Sequence, residues 1–272
     1  MSDPRAALDA IGLIPDTEID IANAALQLAR VDAPGADWEA AREHLSDLAR
    51  QAAAFPATDD LPTRVESLAG LLVARHGYAG DSDTYDDLAN ANLIRVIERR
   101  RGLPVALGIL WLHAARAAGW SAHGVDFPAH FLIALEGRHG RAVLDVFHEG
   151  APLGSPELRE LLRNIEGENA ELRPGLLRPM NARGVLLRLQ NNIALRRLRA
   201  GELTGALDCI TDMLRIAPDQ ADLWQQAGVL NERLDRVAAA LRCFQHFLAL
   251  VPQGPAADRI RLQVDGLRQR LN

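Results

Sequence analysis

The sequence predicts an α+β fold that is mostly helical, with a small antiparallel sheet in the first half and an all-helical repeat segment in the second. Three observations carry this. The composition is 48% hydrophobic but only 4% aromatic, and its dominant leucine and alanine favour helices. Two apolar runs, one opening at His130 and one closing at Asp145, flank the tetrapeptide Gly137-Arg138-His139-Gly140, which marks a tight hairpin. Residues 205–219 align without a gap to residues 239–253, a repeat of 34 residues.

In chain order, Asp16-Thr17-Glu18 reads as a helix start before Ile19, Ile21, Ala22, Ala25 and Leu26. Asp37-Trp38-Glu39 opens a second helix with Ala41, Leu45 and Leu48 on one face. Residues 52–62 read as a loop. A third helix runs from Thr63 to His76 and ends at Gly77, a C-cap glycine. The acidic stretch 80–92 contains Asp81, Asp83 and Asp86. It lacks a glycine at the sixth position from Asp81 and an acid at the twelfth, so a calcium loop is excluded and turn chemistry explains it. Leu93–Arg100 reads as a short helix leading to Arg99-Arg100-Arg101. That triplet is either a solvated cluster or a contact for an anion or acidic partner.

The next helix starts at Gly102-Leu103-Pro104 and ends at Gly119. Proline suits the first helical position, where its missing N–H would be unpaired anyway. The hairpin follows. If Gly137 and Gly140 flank a two-residue turn, Asp145 lies opposite Leu132 and shares a face with His130. Residues 151–183 read as a connector holding one short helix, Pro156–Asn164. Residues 184–272 carry the repeats and a capping helix from about Asp258 to Leu271. The period is that of tetratricopeptide repeats, with Trp224, Gly228, Ala240, Phe244 and Pro252 in register in the second copy. Two repeats and a cap are marginal alone. The segment reads either as a packing module or as a peptide groove in which Trp224 is a contact candidate.

Composition narrows the function. A net charge of -6 argues against general nucleic-acid binding. All 30 basic residues are arginine, so no lysine of this chain serves as acyl acceptor or Schiff-base nucleophile. Cys209 and Cys243 stand in no CxxC pair and read as small buried residues. The N-terminal MSDPRAALDA lacks the charged-then-apolar order of a signal peptide, and the apolar run Leu103–Trp111 is too short to span a bilayer. A soluble, cytoplasmic protein is expected, with no cofactor, no metal and no membrane or nucleic-acid partner. Nothing in the pattern specifies an oligomeric state.

A helix after a glycine-rich turn, then His130, then Asp145 resembles the core of the transglutaminase-like superfamily, with its papain-like order Cys…His…Asp. In that superfamily Gly-x-Cys begins the helix, where the dipole and free N–H groups favour a thiolate. Here the matching Gly102-Leu103-Pro104 puts Pro104 at the nucleophile position, and Val105 to Gly108 carry no substitute. His130 and Asp145 are then either a structural pair tying two strands or the base and orienter of a triad without its nucleophile.

The whole chain is similar to the bacterial SirB-type family. The residues that carry this are the AALQLA run at 24–29, Gly77-Tyr78, Asn90, Asn92, Arg101 to Pro104, the phrase GVDFPAHFL at 124–132, Leu144 to Phe147 and Gly150. The resemblance implies a transglutaminase-like domain with N-terminal helices at 1–150, the connector at 151–183 and tetratricopeptide-like repeats at 184–272. It also implies that the core cysteine is ordinarily missing, so that transglutaminase or protease activity does not carry over. A non-catalytic scaffold or regulator with a protein or peptide partner is expected. The alternative is amide or ester hydrolysis through the His130–Asp145 pair.

Overall fold

The computed structural model describes residues 3–173 and 175–270. It is mostly helical with a small antiparallel sheet. Its contacts form two compact units: Pro15–Leu189, and the residues up to Ile14 together with those from Gln190 onward. Residues 151–183, which the sequence reads as a connector, pack within the first unit.

The chain opens with α1 (Pro4–Leu13), where Asp3 caps and Pro4 stands in the first turn. A 3-10 turn at Asp16–Glu18 precedes α2 (Ile21–Asp32). The cap of α2 is Asp20, whose carboxylate accepts from the N–H groups of Ala22 and Asn23. Asp16, the expected helix start, does something else: it accepts from the N–H groups of Ala182 and Arg183, far along the chain. α3 (Trp38–Ala53) is capped by Asp37. α4 (Leu61–Ala69) is capped by Asp60 and continues as a π-helical turn over Gly70–Arg75. Gly77, at φ 71, then reverses the chain.

β1 (Ala79–Gly80) pairs in parallel with β2 (Arg101–Gly102), and α5 (Leu93–Arg99) lies between them in sequence. α6 (Pro104–Ala117) leads to β3 (Ala122–Phe127), β4 (His130–Gly137), β5 (Gly140–Asp145) and β6 (Ala151–Pro152). α7 (Ser155–Glu166) and β7 (Pro179–Met180) complete the unit. The sheet order is β6-β5-β4-β3-β7, with every pairing antiparallel. One face of the sheet buries Val125, Phe127, Leu132, Ala134 and Val143 against Leu158 and Leu162 of α7.

The repeat unit follows from α8 (Ala182–Arg199), which begins in the first unit and ends in the second. It comprises α9 (Leu203–Ile216), α10 (Ala221–Arg233), α11 (Val237–Leu250) and α12 (Pro255–Gln269). The end expected for the last helix, Leu271, lies outside the described residues. α10 and α11 approach closely because Gly228 faces Phe244; a Cβ there would lie 2.4 Å from the ring. Phe244 and Phe247 then meet Ile260, Val264 and Leu267 of α12 in a second core.

Candidate functional site

α6 carries Pro104, the residue at the expected nucleophile position. Eleven of its residues are buried, Pro104 among them, so it is apolar on all sides and runs through the unit's interior. Its start is fixed from outside. The Leu103 N–H donates to the Asn90 carbonyl at 2.8 Å, and a Cβ on Gly102 would lie 2.8 Å from Val96. Four residues on from Pro104, Gly108 lets the helix touch β4: a Cβ would sit 2.3 Å from the Phe131 ring.

β4 and β5 carry His130 and Asp145. Gly137 pairs with Gly140, and the register continues to Ile133 with Leu144. Asp145 follows on β5, and His130 shares its face. His130 Nε2 lies 3.1 Å from Asp145 Oδ2, with the two side chains 17% and 7% exposed. Backbone strain flanks the pair. Ala129, at φ 49, precedes His130, and Glu149, at φ 59, follows the second strand.

A third side chain completes the arrangement, and sequence reasoning missed it. His148 Nδ1 lies 2.8 Å from the same Asp145 Oδ2, while Oδ1 accepts the N–H groups of Phe147 at 3.0 Å and His148 at 3.4 Å. The available signal was the Asp145-x-x-His148 spacing, which a turn closes. An ionised carboxylate only accepts, so both imidazoles direct N–H groups toward it. This assignment leaves His130 Nδ1 and His148 Nε2 as the basic nitrogens when both rings are neutral. Burial pushes the Asp145 carboxyl up, but the hydrogen bonds and charges of His130 and His148 outweigh it and hold the carboxyl at about 2. The turn itself is anchored to β1: Gly80 donates its N–H to the Phe147 carbonyl at 3.3 Å, and a Cβ on Gly80 would lie 2.5 Å from the Phe147 ring.

The arginine triplet is divided three ways. Arg99 pairs with Asp81 at 3.0 Å and with Asp87 at 3.3 Å, tying down the acidic loop. Arg100, in the left-handed conformation at φ 59, turns inward. Its guanidinium lies over the Tyr78 ring and donates to Tyr78 Oη and to His44 Nε2 at 2.7 Å. Arg101 reaches the Gly80 carbonyl at 3.3 Å and is exposed. The electrostatics around Arg100 suit an internal latch. Burial first, then the charges of Arg100 and His76, lower the His44 imidazole to about 4, and burial pushes the Tyr78 hydroxyl up to about 12.

The His44 shift has a sign that stability measurements detect. Between about pH 6.5 and pH 4 the unfolded chain takes up a proton at His44 that the folded chain refuses, so this residue makes stability fall as pH falls across that window. The His44→Gln variant is expected to show a flatter Tm-against-pH curve from 6.5 to 4. An unchanged slope would refute this account.

Two further histidines of this unit are held by neighbours. His113 Nε2 bonds the Leu45 carbonyl at 2.9 Å. His123 Nδ1 lies 3.7 Å from Glu136 Oε1, and burial lowers its pKa. In the repeat unit, Trp224 donates its indole N–H to the Pro218 carbonyl at 2.8 Å and stacks on His246 with ring centroids 4.2 Å apart. A cavity of about 470 Å³ in the first unit lies between Ile19, Leu112, Arg116, Trp120, Asn181 and Val185, and neither His130 nor Asp145 lines it. Among the described residues no group of three or more His, Cys, Asp or Glu is placed to hold a metal ion, and no helix is long and apolar enough to cross a membrane.

Comparison with known proteins agrees with this architecture. Residues 39–191 match the model of the transglutaminase-like superfamily, and residues 193–265 match a tetratricopeptide repeat model. A UPF0162 protein of Xylella fastidiosa strain Temecula1 is 31% identical over 203 residues, which is 74% of this chain and 72% of that protein. A UPF0162 protein of Vibrio cholerae is 28% identical over 250 residues, 92% of this chain and 93% of the relative. Among solved structures, a crystal structure of menin aligns with a TM-score of 0.43 and 12% identity, covering 90% of this chain and 70% of that one. The buried helix start, the His–Asp hairpin and the 34-residue repeat thus stand on a chain that belongs to the transglutaminase-like superfamily and, with its tetratricopeptide segment, to the UPF0162 family.

Proposed function

We propose that this chain is a non-catalytic interaction protein of the cytoplasm, in which a transglutaminase-like core serves as a scaffold and the repeats contact a protein or peptide partner. The observation that carries this is Pro104. It is buried in the first turn of α6, where acyl transfer by this fold needs a thiolate, and Val105, Ala106, Leu107 and Gly108 offer no replacement. On this reading His130, Asp145 and His148 form a clasp that ties β4 and β5 to the turn after them. Arg99 and Arg100 brace their own loops, while Arg101 and Trp224 remain the contact candidates.

One observation favours a second reading, hydrolysis of an amide or ester. Asp145 fixes His130 so that Nδ1 is the free base, the orientation a general base needs. His130 would activate water, Asp145 would orient it, and N–H groups at the start of α6 would receive the oxyanion.

One assay separates the two. Ammonia release from a glutamine-containing peptide and hydrolysis of an activated ester are measured with the wild-type chain and with His130→Ala. Scaffold behaviour means that both proteins leave the uncatalysed rates unchanged. Turnover by the wild type that His130→Ala abolishes would replace the scaffold with the hydrolase.

A further inference from the structure

The cavity beside the end of α6 has no part in the reading above. Arg116, in the last turn of that helix, lies about 18 Å along its axis from Pro104. The cavity it borders measures about 470 Å³, within the range of small-molecule sites. Small residues on its border, Ala122 of β3 and Ala182 at the start of α8, leave the space open. Its walls are apolar: Ile19, Leu112, Trp120 and Val185 border it, and each is buried in the unit.

The charge at this border is unbalanced. Burial lowers the His123 imidazole below its ordinary 6.5 and leaves it neutral, so Asp16 and Arg116 are the charged residues there. Asp16 is spent within the fold. Its carboxylate accepts the N–H groups of Ala182 at 2.9 Å and Arg183 at 3.0 Å, with the Arg183 guanidinium 3.7 Å away. Arg116 has no such partner. Its Nη1 donates to the Ile19 carbonyl at 2.8 Å, and among the described residues no carboxylate pairs with it. The side chain is exposed, and a guanidinium held by one nitrogen keeps further N–H groups for an incoming carboxylate.

We propose that this cavity binds a small free carboxylic acid, its apolar body against Ile19, Leu112 and Val185 and its carboxylate on Arg116. Two features select that class. One unmatched cation calls for one negative charge, whereas a dianion such as phosphate brings its second charge toward Asp16. Water held against these apolar walls is released when an apolar body replaces it. An alcohol of the same length gains the second contribution without the first. The site is independent of the scaffold reading, since none of its residues belongs to the His130–Asp145–His148 clasp or to the repeats.

The test compares two probes that share a chain and differ in charge. Octanoate and octan-1-ol are titrated calorimetrically into the full-length protein. Octanoate is expected to bind about tenfold tighter, the effect of one charge-assisted contact at an exposed arginine. Arg116→Gln should erase that preference, and Ala122→Leu, which fills the space and keeps Arg116, should abolish binding of both. Methyl NMR locates the ligand: the resonances of Ile19, Leu112 and Val185 should shift with octanoate, while those of Leu158 and Leu162 against α7 stay in place. No binding of octanoate, equal binding of the alcohol, or shifts confined to other methyls would each overturn the proposal. The comparison of probes on the wild type decides even where a variant fails to fold. Failure here leaves the scaffold reading standing, since His130-dependent turnover is what removes it.

Discussion

Replacing Asp145 by alanine lowers the unfolding free energy by about 3 kcal/mol, because one buried carboxylate satisfies four donors and a charge-assisted hydrogen bond contributes about 1.5–3 kcal/mol. Two of those donors, the Nε2 of His130 and the N–H of Phe147, lie in partly buried surroundings and lose their partner. The bond from His148 adds less, since its side chain is 68% exposed. For a chain of this size the loss corresponds to a fall in Tm of about 6–12 °C. Urea denaturation measures it, and a loss under 1 kcal/mol would show that the three side chains are not a clasp. Acid provides an independent readout. The folded carboxyl sits at about 2, below its ordinary value of 3.8. The stability it contributes is therefore full above pH 3.8 and disappears as pH falls through 2. The Asp145→Ala variant should lack that acid-side loss.

Gly150→Ala is expected to be comparably damaging, at about 3 kcal/mol, from two causes that a second variant separates. Gly150 has φ 80, and its N–H closes the turn on the Asp145 carbonyl at 2.8 Å. An added Cβ would also lie 2.1 Å from the Trp111 ring, which is 1% exposed on α6. Gly77 has nearly the same backbone conformation, φ 71, with nothing within 4 Å of an added Cβ. Gly77→Ala therefore isolates the cost of a left-handed alanine, about 1 kcal/mol, and the remainder in Gly150→Ala is the collision with Trp111. Thermal melts of the two variants give the comparison. Equal losses would mean that Trp111 moves aside freely and that the turn does not hold α6 in place.

The parts of the fold legible in the sequence are those governed by local chemistry. Asp37 and Gly77 mark helix ends through a side chain or φ, whereas the helix expected from Thr63 opens two residues earlier, at Leu61, on the cap of Asp60 in the expected loop. The Gly137–Gly140 turn sets a register, and a register sets which side chains share a face. What escaped depends on partners distant in sequence. Asp16 has the composition of a helix start, but its carboxylate bonds to Ala182 and Arg183. Asp3-Pro4 carries an N-cap signature, yet only the fold brings α1 to α9. The arginine triplet looks uniform as a string. The left-handed turn at Arg100 sends three adjacent side chains to three different neighbourhoods. His148 escaped for a different reason: its partner is close by, but no strand or helix period points from Asp145 to it.

The pairing of Arg5 with Asp212 spans 207 residues, and that separation has a consequence during synthesis. At about 5–20 residues per second, roughly 10–40 s pass between the two leaving the ribosome. Throughout that interval Leu8, fully buried in the folded protein, waits for a helix that has not yet been made.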